Sequence, residues 1–326
     1  MTVNEMTAKT GYFVFSLDTE LAWGYFDKDE VRRNRFSPDG ARERESISRL
    51  LDVLDEFGIS ATWACVGHMF YESCEHCSTC PILDWKGRYG SFEEVYETSH
   101  PLWYGADVID QLLKRGARHE IAFHGYTHEV FDERTMSEHQ AKTEIREWLR
   151  VAERRGVVPR SVVFPRNVVG HLPLLEESGL LCFRGAEPAS DSGVLPYLGR
   201  IRRRLRQVPF VFAPPVYELP SPDPSGLLNL PASPNYFKRS RGLGRLFDVL
   251  NLTKLSMSGA IRGVTRAAKE SKVVHVWSHP CEFQTDKDWA KLRHLFSHVS
   301  EHVSRGALQS VTMEQLARKA RLQNAG

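Results

Sequence analysis

Two histidines four residues apart, His124 and His128, follow an apolar run that begins at His119. A loop or first helical turn with that spacing can bring both imidazoles to one cation. Two carboxylates, Asp18 and Glu20, close an earlier apolar run, Tyr12 to Asp18. A carboxylate as third ligand leaves the open position of a catalytic Zn²⁺ site. A second carboxylate can then act as general base on water acidified by the ion. A separate histidine, His279, ends the run Trp277-Ser278-His279-Pro280 and could protonate a leaving amine. A fourth run ends in Phe164-Pro165-Arg166-Asn167, and an arginine beside the base would hold it ionised and oriented. The chemistry open to such a set is metal-assisted hydrolysis.

Taken singly, each residue has a plainer explanation. An HxxxH pair is a weak signal, Asp18 could cap a helix, His279 could be a satisfied core histidine, and Arg166 a surface residue. The joint placement at the ends of apolar runs is what favours a site.

The elements that must position these residues alternate between strand and helix. Strands are expected at Tyr12 to Asp18, Ala61 to Val66, His119 to His124, Ser161 to Phe164, Leu180 to Phe183, Lys272 to Trp277 and Leu308 to Val311. Helices are expected at Ala41 to Phe57 with Gly58 as the stop, around Val108 to Leu113, at Ser137 to Arg155, at His171 to Ser178, and at Asp286 to Ser304. Ser137 with Gln140 forms a capping box, and Thr312 with Gln315 caps a last helix. Repeated β-α units imply parallel strands with helical crossovers. About seven strands favour an α/β barrel over an open sheet, and in barrels the C-terminal strand ends build the site. We read residues 1–326 as a single domain with rim insertions at about 66–105 and 185–271. Eight of the 17 prolines fall between Pro209 and Pro234, which excludes regular helix there.

At this point the sequence resembles the polysaccharide deacetylases, the family sharing a NodB homology domain (carbohydrate esterase family four type). The resemblance covers roughly residues 11–184 and 272–316. The run His119-Glu120-Ile121-Ala122-Phe123-His124 with His128 is similar to the family's metal-histidine motif. The resemblance implies a deformed (β/α) barrel that removes acyl groups, usually N-acetyl groups of sugars, with a divalent metal. It implies His124 and His128 as metal ligands, Asp18 as base, Arg166 as the arginine orienting that base, and His279 as acid. Many members have adjacent aspartates in the first motif; others have a carboxylate-x-carboxylate arrangement, which makes Glu20 the third metal ligand here. Gly125 replaces the usual Ser or Thr, and Asn167-Val168 follow Arg166 in place of the usual Pro-Tyr pair. The chain therefore looks like a divergent branch, on a sugar-like or lipid-linked small molecule. Allantoinase-like relatives make a non-sugar amide, formamide or cyclic amide the alternative substrate, and a non-catalytic carbohydrate-binding protein is the alternative of another class. Zn²⁺ is the default ion for imidazole and carboxylate ligands, with Co²⁺, Ni²⁺, Mn²⁺ and Fe²⁺ open.

Composition narrows the remaining classes. Forty-three Lys and Arg stand against 41 Asp and Glu, a formal net charge of +2, which argues against a nucleic-acid binder. No stretch approaches the roughly 18–20 apolar residues of a transmembrane helix, and Met1 to Thr10 lacks a signal-peptide layout. Six cysteines in 326 residues make no disulfide scaffold, so we expect a cytoplasmic protein.

Four further features attract attention. Cys74, Cys77 and Cys80, near His68 and His76, could hold a structural Zn²⁺, but no clear fourth ligand is present. His294, His298 and His302 lie four apart, off the face carrying Trp289, Leu292, Phe296, Val299 and Val303, so a solvated face is expected. Five arginines in Arg200–Arg206, and Lys238, Arg239, Arg241 and Arg245 among leucines, could contact a membrane surface or an anionic substrate. A rim helix is the plainer reading. Cys281 lacks an evident activating base and reads as packing.

Overall fold

The structure, a computed structural model, describes residues 10–25, 36–74, 80, 82, 85–90, 92–185, 216–237 and 257–324. Among these, β1 (Gly11–Thr19), α1 (Ala41–Phe57), β2 (Ala61–Cys65), α2 (Ala106–Lys114), β3 (His119–Phe123), α3 (Glu138–Glu153) and β4 (Ser161–Val163) come first. Then follow α4 (Leu172–Glu177), β5 (Cys182–Arg184), β6 (Leu228–Asn229), α5 (Ser258–Glu270), β7 (Val273–Ser278), α6 (Asp286–Ser304), β8 (Leu308–Val311) and α7 (Met313–Asn324).

All the strand pairs are parallel, in the order β6-β5-β4-β3-β2-β1-β7, with β8 also on β1. The result is a curled sheet wrapped by helices, a deformed (β/α) barrel. β1 is its hub. It pairs with β7 over Tyr12–Leu17, with β8 over Gly11–Val14 and with β2 over Ser16–Thr19. Between β6 and β7 irregular chain does the bridging. Leu230 N donates to Phe183 O at 2.9 Å, and Ser233 N to His275 O at 2.8 Å.

Strand alternation sorts the side chains into two sets. Phe13, Phe15, Leu17, Trp63, Ile121, Phe123 and Val274 pack outward in the main core with Leu50, Leu54, Trp148 and Phe296 of the helices. Val14, Ala64, Ala122, Val163, Cys182 and Val273 line the interior, plugged from one end by Met313, Leu316 and Ala320. These interior residues are small and apolar because little room is left inside. Continuing the same parity toward the strands' C-terminal ends brings Ser16, Asp18, Glu20, His124, Arg184, His275, Trp277 and His279 to the open end. The fold thus sets polar residues where the sheet splays.

β6 is the strand that sequence patterning does not show. It lies inside the proline-rich stretch and has two residues, too short for any periodicity. The described residues near 66–105 include short 3₁₀ turns at Gly67–Phe70, Trp85–Tyr89 and Glu93–Tyr96. They pack Trp85, Tyr89 and Trp103 around Trp23, with ring centroids 4.6–5.9 Å away. Arg200–Arg206, Lys238, Arg239, Arg241, Arg245, His76 and Cys77 lie outside the described residues.

Candidate active site

Glu20 and His124 each sit one residue beyond a strand end, on β1 and β3. Glu20 Oε2 lies 3.1 Å from His124 Nε2 and 2.8 Å from His128 Nε2. One ligand atom from each of the three residues falls within 4.8 Å of the others, and all three residues are buried. They form the only such three-residue group found among the described residues. Gly24 makes room for the carboxylate, since a Cβ there would lie 2.0 Å from Glu20 Oε1.

The donor chemistry fits a cation. His124 Nδ1 is 2.7 Å from Val163 O. A carbonyl only accepts, so Nδ1 carries a proton and Nε2 is the nitrogen turned to the Glu20 carboxylate, where without a second proton its lone pair faces the oxygen's. Two lone pairs facing at that distance need a proton or a metal ion between them. Burial opposes ionisation of Glu20, yet His128 and His124 hold its carboxyl well below the ordinary value. Burial also lowers the pKa of His128 despite the Glu20 charge. Both directions give an anionic carboxylate beside a neutral imidazole, the protonation state in which each can ligate.

Asp18, two residues before Glu20, meets an arginine that the sequence pattern did not single out. Arg184, the last residue of β5, donates from Nη2 to Asp18 Oδ2 at 2.7 Å and from Nη1 to Oδ1. Its remaining contacts lock the fork. Nη1 reaches Ser16 Oγ at 3.2 Å, Nη2 reaches Asn167 Oδ1 at 2.9 Å, and the guanidinium stacks 4.3 Å from the Trp277 ring. Burial disfavours the Asp18 anion, but Arg184, with His279 and His124, holds its pKa below the ordinary value.

Arg166 was expected in that place and stands elsewhere. The chain leaves β4 through a turn in which Arg166 and Asn167 both have φ of 57°. This left-handed turn leaves the Arg166 side chain exposed and turns Asn167 onto Arg184. The Arg166 charge still acts on His128, disfavouring its protonated form.

His279 follows β7 and faces both carboxylates, with Nε2 3.6 Å from Glu20 Oε1 and 3.8 Å from Asp18 Oδ2. Glu282 lies behind it, 3.6 Å from Nδ1, and is itself held by Ser278 Oγ and Asn235 Nδ2, each at 2.8 Å. Burial alone would lower the His279 pKa; Glu282, Glu20 and Asp18 raise it to about 9. Tyr25 and Trp277 flank the ring, with centroids at 5.6 and 5.5 Å. The set offers an ionised carboxylate, a protonated imidazole and a triad with the donor atoms to hold a cation, at one mouth.

Residues 37–165 match the family model described as polysaccharide deacetylase. Over that stretch the chain is similar to the polysaccharide deacetylases. Comparison with curated proteins gives no match. Among solved structures, a candidate polysaccharide deacetylase from Mycobacterium smegmatis superposes with a TM-score of 0.59 at 18% identity, covering 99% of this chain and 94% of that one. The PuuE allantoinase gives 0.50 at 16% identity, with 96% and 91% covered. A second candidate deacetylase, from Pseudomonas aeruginosa PAO1, gives 0.50 at 14%, with 94% and 89% covered. At such identities the likeness is one of fold.

Cys74 is half-buried and Cys80 is buried. His68 is buried among Trp23, Trp85 and Tyr126. His298 is half-buried, 2.9 Å from Thr265 Oγ1 of α5, and stacks edge-on with His302 at 4.8 Å. That histidine row thus borders α5 instead of forming a wholly solvated face. Cys281 contacts Tyr25, and burial raises its pKa to well above the ordinary value. No described helix is long and apolar enough to cross a membrane.

Proposed function

We propose that the protein is a metal-dependent amide hydrolase that removes an acyl group, N-acetyl by preference, from a sugar or sugar-like substrate. The observation that carries this is the convergence of Glu20, His124 and His128 beside an arginine-clamped Asp18 and a carboxylate-backed His279. Glu20, His124 and His128 would hold the ion, with Zn²⁺ the default and Co²⁺, Ni²⁺, Mn²⁺ or Fe²⁺ compatible with the same donors. A divalent cation, when bound, acidifies water and polarises a carbonyl.

The chain's own groups do the proton transfers. Asp18 accepts a proton from the attacking water. Its low pKa makes it a modest base that is ionised throughout the neutral range, which suffices for acidified water. Arg184 fixes which carboxylate lone pairs face outward. His279 carries a proton at neutral pH and delivers it to the departing nitrogen. Tyr25 and Trp277 supply flat apolar walls on either side of that histidine.

Asp18→Asn should lower turnover by roughly 10²–10⁴-fold, the usual contribution of a general base, while Zn²⁺ stays bound. Turnover is to be measured on a panel of N-acetylated sugars, lipid-linked and free, and on formamides and cyclic amides. Undiminished turnover in the variant would refute the assignment. Turnover of non-sugar amides alone would move the substrate to the alternative class. Tight sugar binding without product would favour a binding protein.

A further inference from the structure

The two histidine ligands are joined by Gly125-Tyr126-Thr127, and the loop is bent at both ends. Gly125 has φ of 74° and His128 φ of 57°. A left-handed histidine is strained, so surrounding contacts must hold it. They come from two directions. Glu144 of α3 is buried and accepts from Tyr126 N at 2.6 Å, from Thr127 N at 3.0 Å and from the Thr127 hydroxyl. On the other side, Arg88 in the turn Trp85–Tyr89 donates from Nη2 to Thr127 O at 3.2 Å and to Thr127 Oγ1 at 2.8 Å. Its Nη1 pairs with Glu129 at 2.6 Å. Gly67 N and His68 N donate to Gly125 O and Tyr126 O at 3.0 and 3.2 Å.

We propose that Arg88 and Glu144 are positioning residues for the metal centre, clamping the ligand loop through Thr127 so that His124 and His128 keep their separation. The turn Trp85–Tyr89 thereby governs how tightly the ion is retained. This rests on the metal-site reading above. The Thr127 hydroxyl passes the clamp on: it accepts from Arg88 and donates to Glu144, so each partner orients the other's contact.

Charge and clamp predict opposite signs, which makes the idea testable. Arg88 is a cation near a cation site, so its removal by electrostatics alone should tighten metal binding. Loss of the clamp should loosen it, by about 10–100-fold as for other groups that orient ligands. Zn²⁺ affinity and dissociation rate would be measured by chelator competition on wild type, Arg88→Met, Arg88→Lys and Glu144→Gln, with thermal melts of the metal-free proteins. Arg88 is partly exposed, with 29% of its side chain accessible, so the variant should fold.

The expected result is weaker binding and faster release in Arg88→Met, partial recovery in Arg88→Lys, and little change in the metal-free melt. Arg88→Met that is folded and binds Zn²⁺ as tightly as wild type, or more tightly, overturns the clamp alone. Wild type that takes up no Zn²⁺, or takes up as much after His124→Ala/His128→Ala, overturns the metal reading and the clamp with it.

Discussion

Asp18 and Arg184 form a buried ion pair, with side-chain exposures of 5% and 0%. Removing one partner of such a pair leaves a charge with nothing to offset its lost hydration, at about 3–5 kcal/mol. Arg184→Met should therefore lower stability on that scale in urea titrations and abolish most turnover. Asp18→Asn/Arg184→Met should recover part of the stability, because the orphaned anion is gone, and none of the activity. Arg184→Lys keeps the charge but cannot serve both Asp18 oxygens, Ser16 and Asn167 with a single ammonium. A double variant no more stable than Arg184→Met would show that the pair does not set the penalty. Arg184 was not legible in the sequence, lying one residue beyond the expected strand Leu180 to Phe183. It falls two residues after Cys182 on a buried strand, facing the interior, but its partner lies 166 positions away in the chain. Motif spacing pointed instead to Arg166, because spacing does not reveal that the chain turns left-handed there.

At the scale of elements, helix ends were the most legible features. Ala41–Phe57 and Asp286–Ser304 end where Gly58 and the Thr285–Asp288 box stop and start them. Ser137 and Gln140 make the reciprocal capping bonds that their spacing announces. Strand C-termini fell within a residue or two, which was enough to place Asp18, Glu20, His124 and His279 at one end. The packing between elements was not legible, and Glu120 illustrates it. Four residues before His124 on β3, it faces the interior and accepts from Thr62 Oγ1 at 2.9 Å and from Glu314 N, at the start of α7, at 3.0 Å. Burial raises its pKa from 4.5 to about 7, opposed by bonds from Ser161, Glu314 and Thr62 and aided by the Glu314 charge. Because the folded value exceeds the unfolded one, its stabilising contribution is complete below about pH 4.5 and is lost as pH rises through about 7. Glu120→Gln should lack that slope. The difference in unfolding free energy, wild type minus variant, should fall between pH 4.5 and 7 and then level off. A difference that rises below pH 4.5 and is flat from 4.5 to 7 would mean the carboxyl is ionised and stabilised inside the barrel.

At the scale of the whole molecule, the candidate ligands join parts that fold far apart in sequence. Glu20 comes from the hub strand β1, while His124 and His128 come from a loop held by α3 and by the turns after β2. An ion bound to all three is a cross-link that exists only in the folded chain, so it stabilises by mass action, by about 4 kcal/mol at a thousandfold excess over its dissociation constant. At roughly 2–4 °C per kcal/mol for chains of this order of size, Zn²⁺ should raise the melting temperature by about 10 °C over the chelator-treated protein. His124→Ala/His128→Ala should show almost none of this rise, and Asp18→Asn nearly all of it. Mg²⁺ separates a built site from casual binding to surface acids, because a hard ion gains little from two imidazoles. Equal stabilisation by Mg²⁺ and Zn²⁺, surviving loss of both histidines, would place the ions on exposed carboxylates and leave the Glu20 cluster a proton-sharing network within the barrel mouth.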